Sequence, residues 1–386
     1  MPKFLAVRTR LFAVAACSAA LLFGAVRSIG AQTPSGEWVK DVSLSGKTYL
    51  RYSYELGEAR KNDNEFAIDR MYVIVLWRLW DRARLRYTLE GGEIRDVDVK
   101  LSNGTLTKTS NQTLSVVTKH LYFEYSNPLG KDSWLRLGLA DLPFVPYEED
   151  LWGYRVQGTV FSDRAGYLTS TDLGVAIGGR FANEYGSWQA SLVNGEGWKR
   201  SEVGQHKDVH ARLTLNPFAG AGKTAANFFV TGFHSEGTND DVSAGPASKN
   251  RTILMAGYKS AGKVTLAGEY LMSTDPASSL AGRYPSLSSR AGLLSEGRGT
   301  SIFATLSPKA FGATGNAEKL DFLARYDALD PDNAIADNSL RRVVTGFAYK
   351  LHEKMTALLT MEDVKYDAQA GKPNERRVLL QTEIRF

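Results

Sequence analysis

The chain has 386 residues, a formal net charge of +5 and a single cysteine, Cys17. One cysteine excludes a disulfide framework and a thiolate zinc site. Four basic residues and no acidic residue lie near the N-terminus, namely Lys3, Arg8, Arg10 and Arg27. Without these four residues the net charge is lower by four. The charge that is left is too small to favour nucleic-acid binding.

The N-terminus predicts a cleavable secretory signal over residues 1–31. Basic residues precede an apolar run from Leu11 to Val26, and small residues follow as far as Ala31. This run is shorter than the roughly 20 residues that a membrane helix needs. The alternatives are a retained helix and a lipoprotein lipidated at Cys17, although apolar residues continue past that cysteine. We expect a mature domain of residues 32–386.

Segments of about ten residues alternate between apolar and polar side chains along the rest of the chain. In 42–56, for example, Val42, Leu44 and Leu50 share one parity, and Lys47 and Arg51 share the other. Alternation is typical of membrane barrel strands, which have one face toward lipid and one toward water. The pattern predicts an all-β fold, a transmembrane antiparallel β-barrel with sixteen strands at 42–57, 65–80, 81–91, 115–126, 132–141, 170–182, 186–195, 206–216, 225–236, 251–259, 263–273, 297–307, 319–328, 339–350, 354–366 and 375–386.

The connections between these strands are alternately short and long. Short periplasmic turns, long extracellular loops and an even strand number are typical of bacterial barrels. One link, near 307–318, is longer than such a turn should be. The long connections are polar and span 92–114, 142–169, 237–250 and 274–296.

Three arginines at alternate positions, Arg82, Arg84 and Arg86, form the most suggestive site. If Ala83 and Leu85 face lipid, the arginines face the lumen, about 6.6–7 Å apart. Rows of arginine or lysine are one way in which pores favour anions and phosphates. The same parity predicts further pore-lining arginines, Arg51, Arg136, Arg180 and Arg212, and it is shared by Arg325, Arg342 and Arg377.

Acidic residues in the 142–169 loop oppose an anion preference. If this loop folds into the barrel, Glu148, Glu149 and Asp150 would form a constriction together with Arg164. Their carboxylates would neutralise the arginines and leave a weakly selective pore. A loop that fills the barrel would instead indicate a structural or adhesion protein. All three functions remain open from the residues alone.

The sequence predicts no catalytic residues, metal or cofactor, and we expect a protein that is not an enzyme. Asp330, Asp332 and Asp337 could hold a surface calcium, but the glycine and distal glutamate of an EF-hand are missing. His206 and His210 are four residues apart on a predicted strand rather than on the helix that a zinc motif needs. No nucleotide-binding loop or nucleophile elbow is present.

Five motifs within residues 115–200 carry a family resemblance: Leu135-Arg136-Leu137-Gly138, Leu142-Pro143-Phe144, Phe161-Ser162-Asp163-Arg164, Asp172-Leu173-Gly174-Val175 and Asn194-Gly195-Glu196-Gly197. In order and spacing they resemble the phosphate-selective porin O/P family of Gram-negative outer membranes. The resemblance implies a sixteen-stranded, trimeric barrel with a basic pore and an inward-folded third loop. The final Phe386 is similar to the signal that barrel-assembly machinery reads.

Together these features predict an outer-membrane porin. It would be a passive channel for small hydrophilic solutes, with a preference for anions and, by resemblance, for phosphate. Its expected partners are these solutes, outer-membrane lipid, the barrel-assembly machinery and two further copies of the chain.

Overall fold

The computed structural model describes residues 39–94, 97–100, 106–109, 113–199, 202, 204–219, 227–240 and 247–386, with the backbone alone given for 93–100, 106–109 and 113–114. The chain divides into two units, Met1–Lys40 and Asp41–Phe386, and the barrel is the second. The predicted signal, with Cys17, lies outside the described residues.

Sixteen strands form one closed antiparallel barrel, as the alternation predicts, and their ends differ from the predicted ones by at most four residues. Strands adjacent along the chain pair with each other, and β1 pairs with β18 to close the barrel. The barrel strands are β1 (Asp41–Glu55), β2 (Asn64–Trp80), β3 (Ala83–Ile94), β6 (Thr113–Ser126), β7 (Ser133–Asp141), β8 (Thr171–Arg180), β9 (Gly186–Val193), β10 (Asp208–Leu215), β11 (Phe228–Asn239), β12 (Ala247–Ser260), β13 (Val264–Pro276), β14 (Leu294–Leu306), β15 (Leu320–Asp330), β16 (Leu340–His352), β17 (Met355–Tyr366) and β18 (Glu375–Arg385).

The connection between β3 and β6 contains two further strands, β4 (Val97–Lys100) and β5 (Leu106–Thr109), which pair only with each other. The sequence predicts a loop throughout 92–114, so this small sheet corrects that prediction. Strands of four residues are too short to show a clear alternation.

The outer face of the barrel is apolar because each strand turns its apolar parity outward. These side chains would face lipid in a membrane, and closure leaves no strand edge unpaired. Exposed large apolar residues recur on nearly every strand and include Leu121, Leu137, Leu173, Leu192, Leu213, Val230, Leu254, Leu266, Ile302, Phe322, Val343, Leu359 and Leu380.

One end of the barrel, called the turn side here, carries the short connections, such as the two-residue turn between β2 and β3. The opposite end is the loop side. The long link at 307–319 is on the turn side and contains two 3-10 turns, Pro308–Phe311 and Ala317–Lys319. No helix among the described residues is long and apolar enough to cross a membrane.

The connection between β7 and β8, residues 142–170, is called the inward segment. It contains helices α1 (Val145–Trp152) and α2 (Phe161–Arg164), with a 3-10 turn at Arg155–Gln157 between them. Gly153, with φ of 75°, ends α1 and donates its N–H to the carbonyl of Glu149. The β13–β14 connection holds α3 (Ala277–Leu280) and a 3-10 turn at Pro285–Arg290, and shorter 3-10 turns span Glu58–Arg60 and Ala182–Glu184.

The inward segment lies inside the barrel, because it contacts side chains from strands that lie on many sides of it. The segment is therefore an inward-folded third loop on the loop side, as predicted. Its contacts with six strands are Pro143 with Arg212 of β10, Tyr147 with Thr231 of β11, Trp152 with Phe303 of β14, Tyr154 with Asp321 of β15, Arg164 with Glu362 of β17 and Val156 with Gln381 of β18.

Candidate functional site

The barrel interior has two unlike halves. Against β11–β18 and Tyr49 of β1, the inward segment forms a packed apolar core, in which Phe144, Trp152 and Phe161 are almost fully buried. Burying each such side chain stabilises the fold by roughly 1.5–3 kcal/mol. The segment is therefore a fixed wall. The other half of the interior, lined by β1–β3 and β6–β10, is polar and carries most of the predicted arginines.

A buried ion cluster fixes α2 to the barrel wall. Arg164 donates to Glu362 at 2.9 Å and Arg377 donates to it at 3.0 Å, and Arg342 Nε lies 2.8 Å from Glu362 Oε1 in an ion pair. Arg325 pairs with Asp327 at 2.7 Å on the same side. The alternation parity therefore gives a wrong prediction for Arg325, Arg342 and Arg377. These arginines lie behind the inward segment and add no basic surface to the lumen.

Glu148 was expected to line the constriction but faces the interior of the inward segment, where its side chain is buried. It accepts from the backbone N–H of Phe161 at 2.9 Å and from Ser162 Oγ at 2.8 Å, at the start of α2. Burial raises the pKa of the Glu148 carboxyl, and the carboxyl of Glu269 on β13 lies beside it. Glu148 and Arg164 therefore hold the segment together and do not face the passage.

Arg84 and Arg136 do face the polar half of the lumen, and one carboxylate serves both. Arg84 Nε lies 2.8 Å from Glu124 Oε1, and Arg136 Nε lies 2.8 Å from Glu124 Oε2. Arg136 also stacks on Trp134, with 4.1 Å from its guanidinium carbon to the ring centre. Glu124 is 1% exposed, so its negative charge mainly compensates these two arginines.

The predicted row of three arginines is one residue shorter than expected. Arg82 is exposed in the turn before β3, where its carbonyl accepts from the N–H of Ser126. Arg86 lies within β3 and donates to Thr88 at 3.1 Å. The regular spacing cannot show where a strand begins, so the row consists of Arg84 and Arg86.

The remaining predicted arginines differ in their partners. Arg51 pairs with Glu65 at 3.0 Å and with Asp69 at 2.8 Å, both on β2. Among the described residues, neither Arg180 nor Arg212 has a carboxylate partner. Arg180 is exposed at the turn-side end of β8.

Arg212 is held by neutral groups alone. Its Nε donates to the carbonyl of Pro143 at 2.8 Å, and its Nη1 donates to Ser187 and Thr214. Its guanidinium carbon lies 4.4 Å from the ring centre of Tyr147. The positive charge of Arg212 is therefore uncompensated at short range.

The face of the inward segment opposite these arginines carries charges of both signs. Glu149 pairs with Arg155. Asp150 is exposed, and its carbonyl accepts from Lys259 at 2.7 Å. Of the three predicted loop acids, Asp150 is exposed, Glu149 is partly exposed and paired with Arg155, and Glu148 is buried.

The acids that neutralise the arginines come mainly from the wall, which sequence reasoning missed. Besides Glu124, they include Asp69, which pairs with Arg51, Glu90, which pairs with Arg70 at 2.7 Å, and Asp141, which lies 3.4 Å from Arg136 Nη1. Inward parity was the available signal for Glu124. Its pairing with Arg84 depends on the register of β3 against β6, which cannot be read from the sequence.

A cavity of about 720 Å³ opens beside α1 on the turn side. Four arginines and four acids line it, so its formal charges balance. The arginines are Arg84, Arg136, Arg180 and Arg212, and the acids are Glu124, Asp132, Asp141 and Asp150.

No protein-family model matches this sequence, and no curated protein matches it. Solved structures with the same fold include a loop-deletion mutant of OmpT, an outer membrane protein of Vibrio cholerae, at 10% identity and a TM-score of 0.58, covering 90% of this chain and 99% of that one. The outer membrane channel DcaP of Acinetobacter baumannii has 12% identity and a TM-score of 0.57, with 90% and 97% covered. An anion-selective porin from Comamonas acidovorans has 12% identity and a TM-score of 0.57, with 90% and 99% covered.

Identities this low show a shared fold and no more. The fold is that of outer-membrane barrels, and the closed barrel with its apolar outer face places the chain in the bacterial outer membrane. The closer resemblance to phosphate-selective porins stays a prediction.

Proposed function

We propose that the protein is a porin, a passive channel for small hydrophilic solutes. The observation that carries this proposal is the divided interior: the inward segment packs its apolar side mainly against β11–β18 and Tyr49 of β1, and leaves the charged side chains of β3 and β6–β8 uncovered by that side. In a barrel filled by its loops, charged side chains such as Arg84 and Arg180 would not be exposed along a polar half of the interior.

The proposal includes a preference of the channel for anions over cations. This preference rests on Arg86 and Arg180, which form no ion pair with a described carboxylate, on the field of the buried Arg212, and on Arg84, whose side chain is 46% exposed despite its pairing with Glu124. Anions would pass from one guanidinium to the next. Phosphate remains the candidate that the motif resemblance favours, and a homotrimer is the proposed assembly.

A second candidate, a weakly selective channel, is favoured by one observation. The turn-side cavity carries equal numbers of arginines and acids, which would produce a transverse field and little net preference. A structural or adhesion barrel is the alternative if the purified protein conducts no ions.

Reversal potentials in a planar bilayer under a chloride gradient test the proposal. We expect the double variant Arg84→Ala, Arg86→Ala to lower the anion-to-cation permeability ratio about fivefold, because Glu124 already compensates much of the Arg84 charge and loss of one further unit charge at 4 Å in water costs about 1 kcal/mol. Arg82→Ala is the matched control, because Arg82 belongs to the same sequence pattern but lies in the turn. Equal ratios in the wild type and the double variant would contradict the anion pathway, and a cation-selective wild type would overturn it.

A further inference from the structure

A second cavity, of about 210 Å³, lies on the loop side of the inward segment and is called the loop-side cavity. Its polar wall comes from three strands: Asp172 on β8, Asp208 and His210 on β10, and Lys249 and Arg251 on β12. None of these residues belongs to the proposed anion pathway.

The charged groups of this cavity are already satisfied by one another or by the backbone. Lys249 Nζ lies 2.8 Å from Asp208 Oδ2, and Arg251 pairs with Asp275. Asp172 accepts the backbone N–H groups of Leu173, Gly195 and Gly197. Asp172, Asp208, Lys249 and Arg251 therefore each have a partner of opposite sign or backbone donors, and Glu196 also lines the cavity.

The polar atoms of the cavity wall that have no hydrogen-bond partner include both donors and acceptors. The side chain of His210 is 5% exposed, and among the described residues neither ring nitrogen has a hydrogen-bond partner. Arg251 Nε and Asp208 Oδ1 are unpaired in the same part of the wall. A neutral imidazole has one donor and one acceptor, and burial of such groups without partners is unfavourable.

We propose that the loop-side cavity binds a neutral, polyhydroxylated solute the size of one sugar ring. A hydroxyl both donates and accepts, so adjacent hydroxyls can pair with His210, Arg251 Nε and Asp208 Oδ1 together. The opposite wall includes Leu142, Leu168 and Leu280, which offer an apolar surface to the C–H face of a ring.

The volume and place of the cavity define the size of the solute and the role of the site. Sites for drug-sized ligands measure about 300–1,000 Å³, so this cavity is suited to a smaller molecule. It lies on the loop side of Leu142, and the turn-side cavity lies on the other side of the same residue. The site would hold a neutral solute near the loop-side entrance, which goes beyond ion passage.

Glucose binding to the purified, folded barrel tests this inference by isothermal titration calorimetry. His210→Phe keeps a ring of similar size and removes both nitrogens, and we expect at least a tenfold loss of glucose affinity. His234→Phe is the matched control, because His234 is half exposed on the outward face of β11. Chloride permeability should stay unchanged in both variants, which separates failure here from failure of the proposed channel.

Three results would overturn the inference: no glucose binding by the wild type, equal affinity in His210→Phe, or displacement of glucose by phosphate. If His210→Phe does not fold, Ser279→Cys on the exposed rim of the cavity provides a second measurement, with Cys17 replaced by Ser. Glucose should slow labelling of this cysteine by a methanethiosulfonate reagent, and an unchanged rate would contradict the site.

Discussion

Glu124 determines how much positive charge its two arginines present to the lumen. It is buried, it accepts from both Arg84 and Arg136, and it lies directly opposite Arg84 in the pairing of β3 with β6. Because its partners come from different strands, one carboxylate compensates two cations. A change at this residue alters the balance of the passage without moving the arginines.

We expect Glu124→Gln to raise the anion-to-cation permeability ratio several-fold. The amide keeps the shape and one of the two acceptor oxygens but removes the negative charge and the other acceptor, so Arg84 and Arg136 are less compensated. Reversal potentials at low salt measure the change, which should shrink in 1 M salt, where the Debye length is about 3 Å. Glu58→Gln, in the exposed connection before β2, is the control. An unchanged ratio at low salt would show that the pair lies outside the ion path.

The inward segment is the element that alternation alone could not describe. The sequence predicts its position and its inward fold, the latter through the motif resemblance, but its internal contacts depend on partners far along the chain. Glu148 lies next to Glu149 in the sequence, yet one caps α2 and the other pairs with Arg155 near the lumen. Helical geometry separates adjacent residues by about 100°, so only one of the two can point outward.

The buried Glu148 carboxyl should make this segment sensitive to pH. Its pKa is raised by burial, so the neutral form stabilises the folded segment, most fully below the ordinary glutamate pKa of about 4.3. This contribution falls as pH rises through the higher pKa of the folded protein. Hydrogen exchange of α1 and α2, corrected for the intrinsic rate, should show less protection at higher pH.

The double variant Glu148→Gln, Glu269→Gln should remove most of this dependence, since neither side chain can then ionise. Glu149→Gln should retain it, because Glu149 lies outside the buried pair. A double variant with the wild-type pH dependence would assign the effect to other groups.

At the scale of the whole molecule, the sequence was most informative where one physical rule acts on every strand. Alternation fixed the sixteen strands to within a few residues because each has one face toward lipid and one toward the interior. Alternation does not distinguish an inward side chain in water from one packed against the inward segment. Arg325 and Arg84 have the same predicted parity, yet one is 3% exposed behind the segment and the other faces the lumen.

A tight contact lies beside the β1–β18 seam that closes the barrel. Gly46 and Phe386 exchange two backbone hydrogen bonds of 3.0 Å, and a Cβ added to Gly46 would lie 2.3 Å from the Phe386 ring and 2.4 Å from the carbonyl of Tyr72. We expect Gly46→Ala to destabilise the folded barrel by about 1–3 kcal/mol through overpacking.

Urea unfolding in detergent or lipid, followed by the gel shift between folded and heated protein, measures this loss. Gly232→Ala is the matched control, because Gly232 is also within a strand but has no heavy atom within 4 Å of its added Cβ. Phe386→Ala in the Gly46→Ala background should recover part of the stability, since it removes the ring but leaves the clash with Tyr72. Equal stabilities of the two glycine variants would show that the seam tolerates a methyl group, and closure would then depend on strand pairing alone. The proposed role of Phe386 as a signal to the assembly machinery is separable from this contact, because unfolding of the purified barrel involves no such machinery.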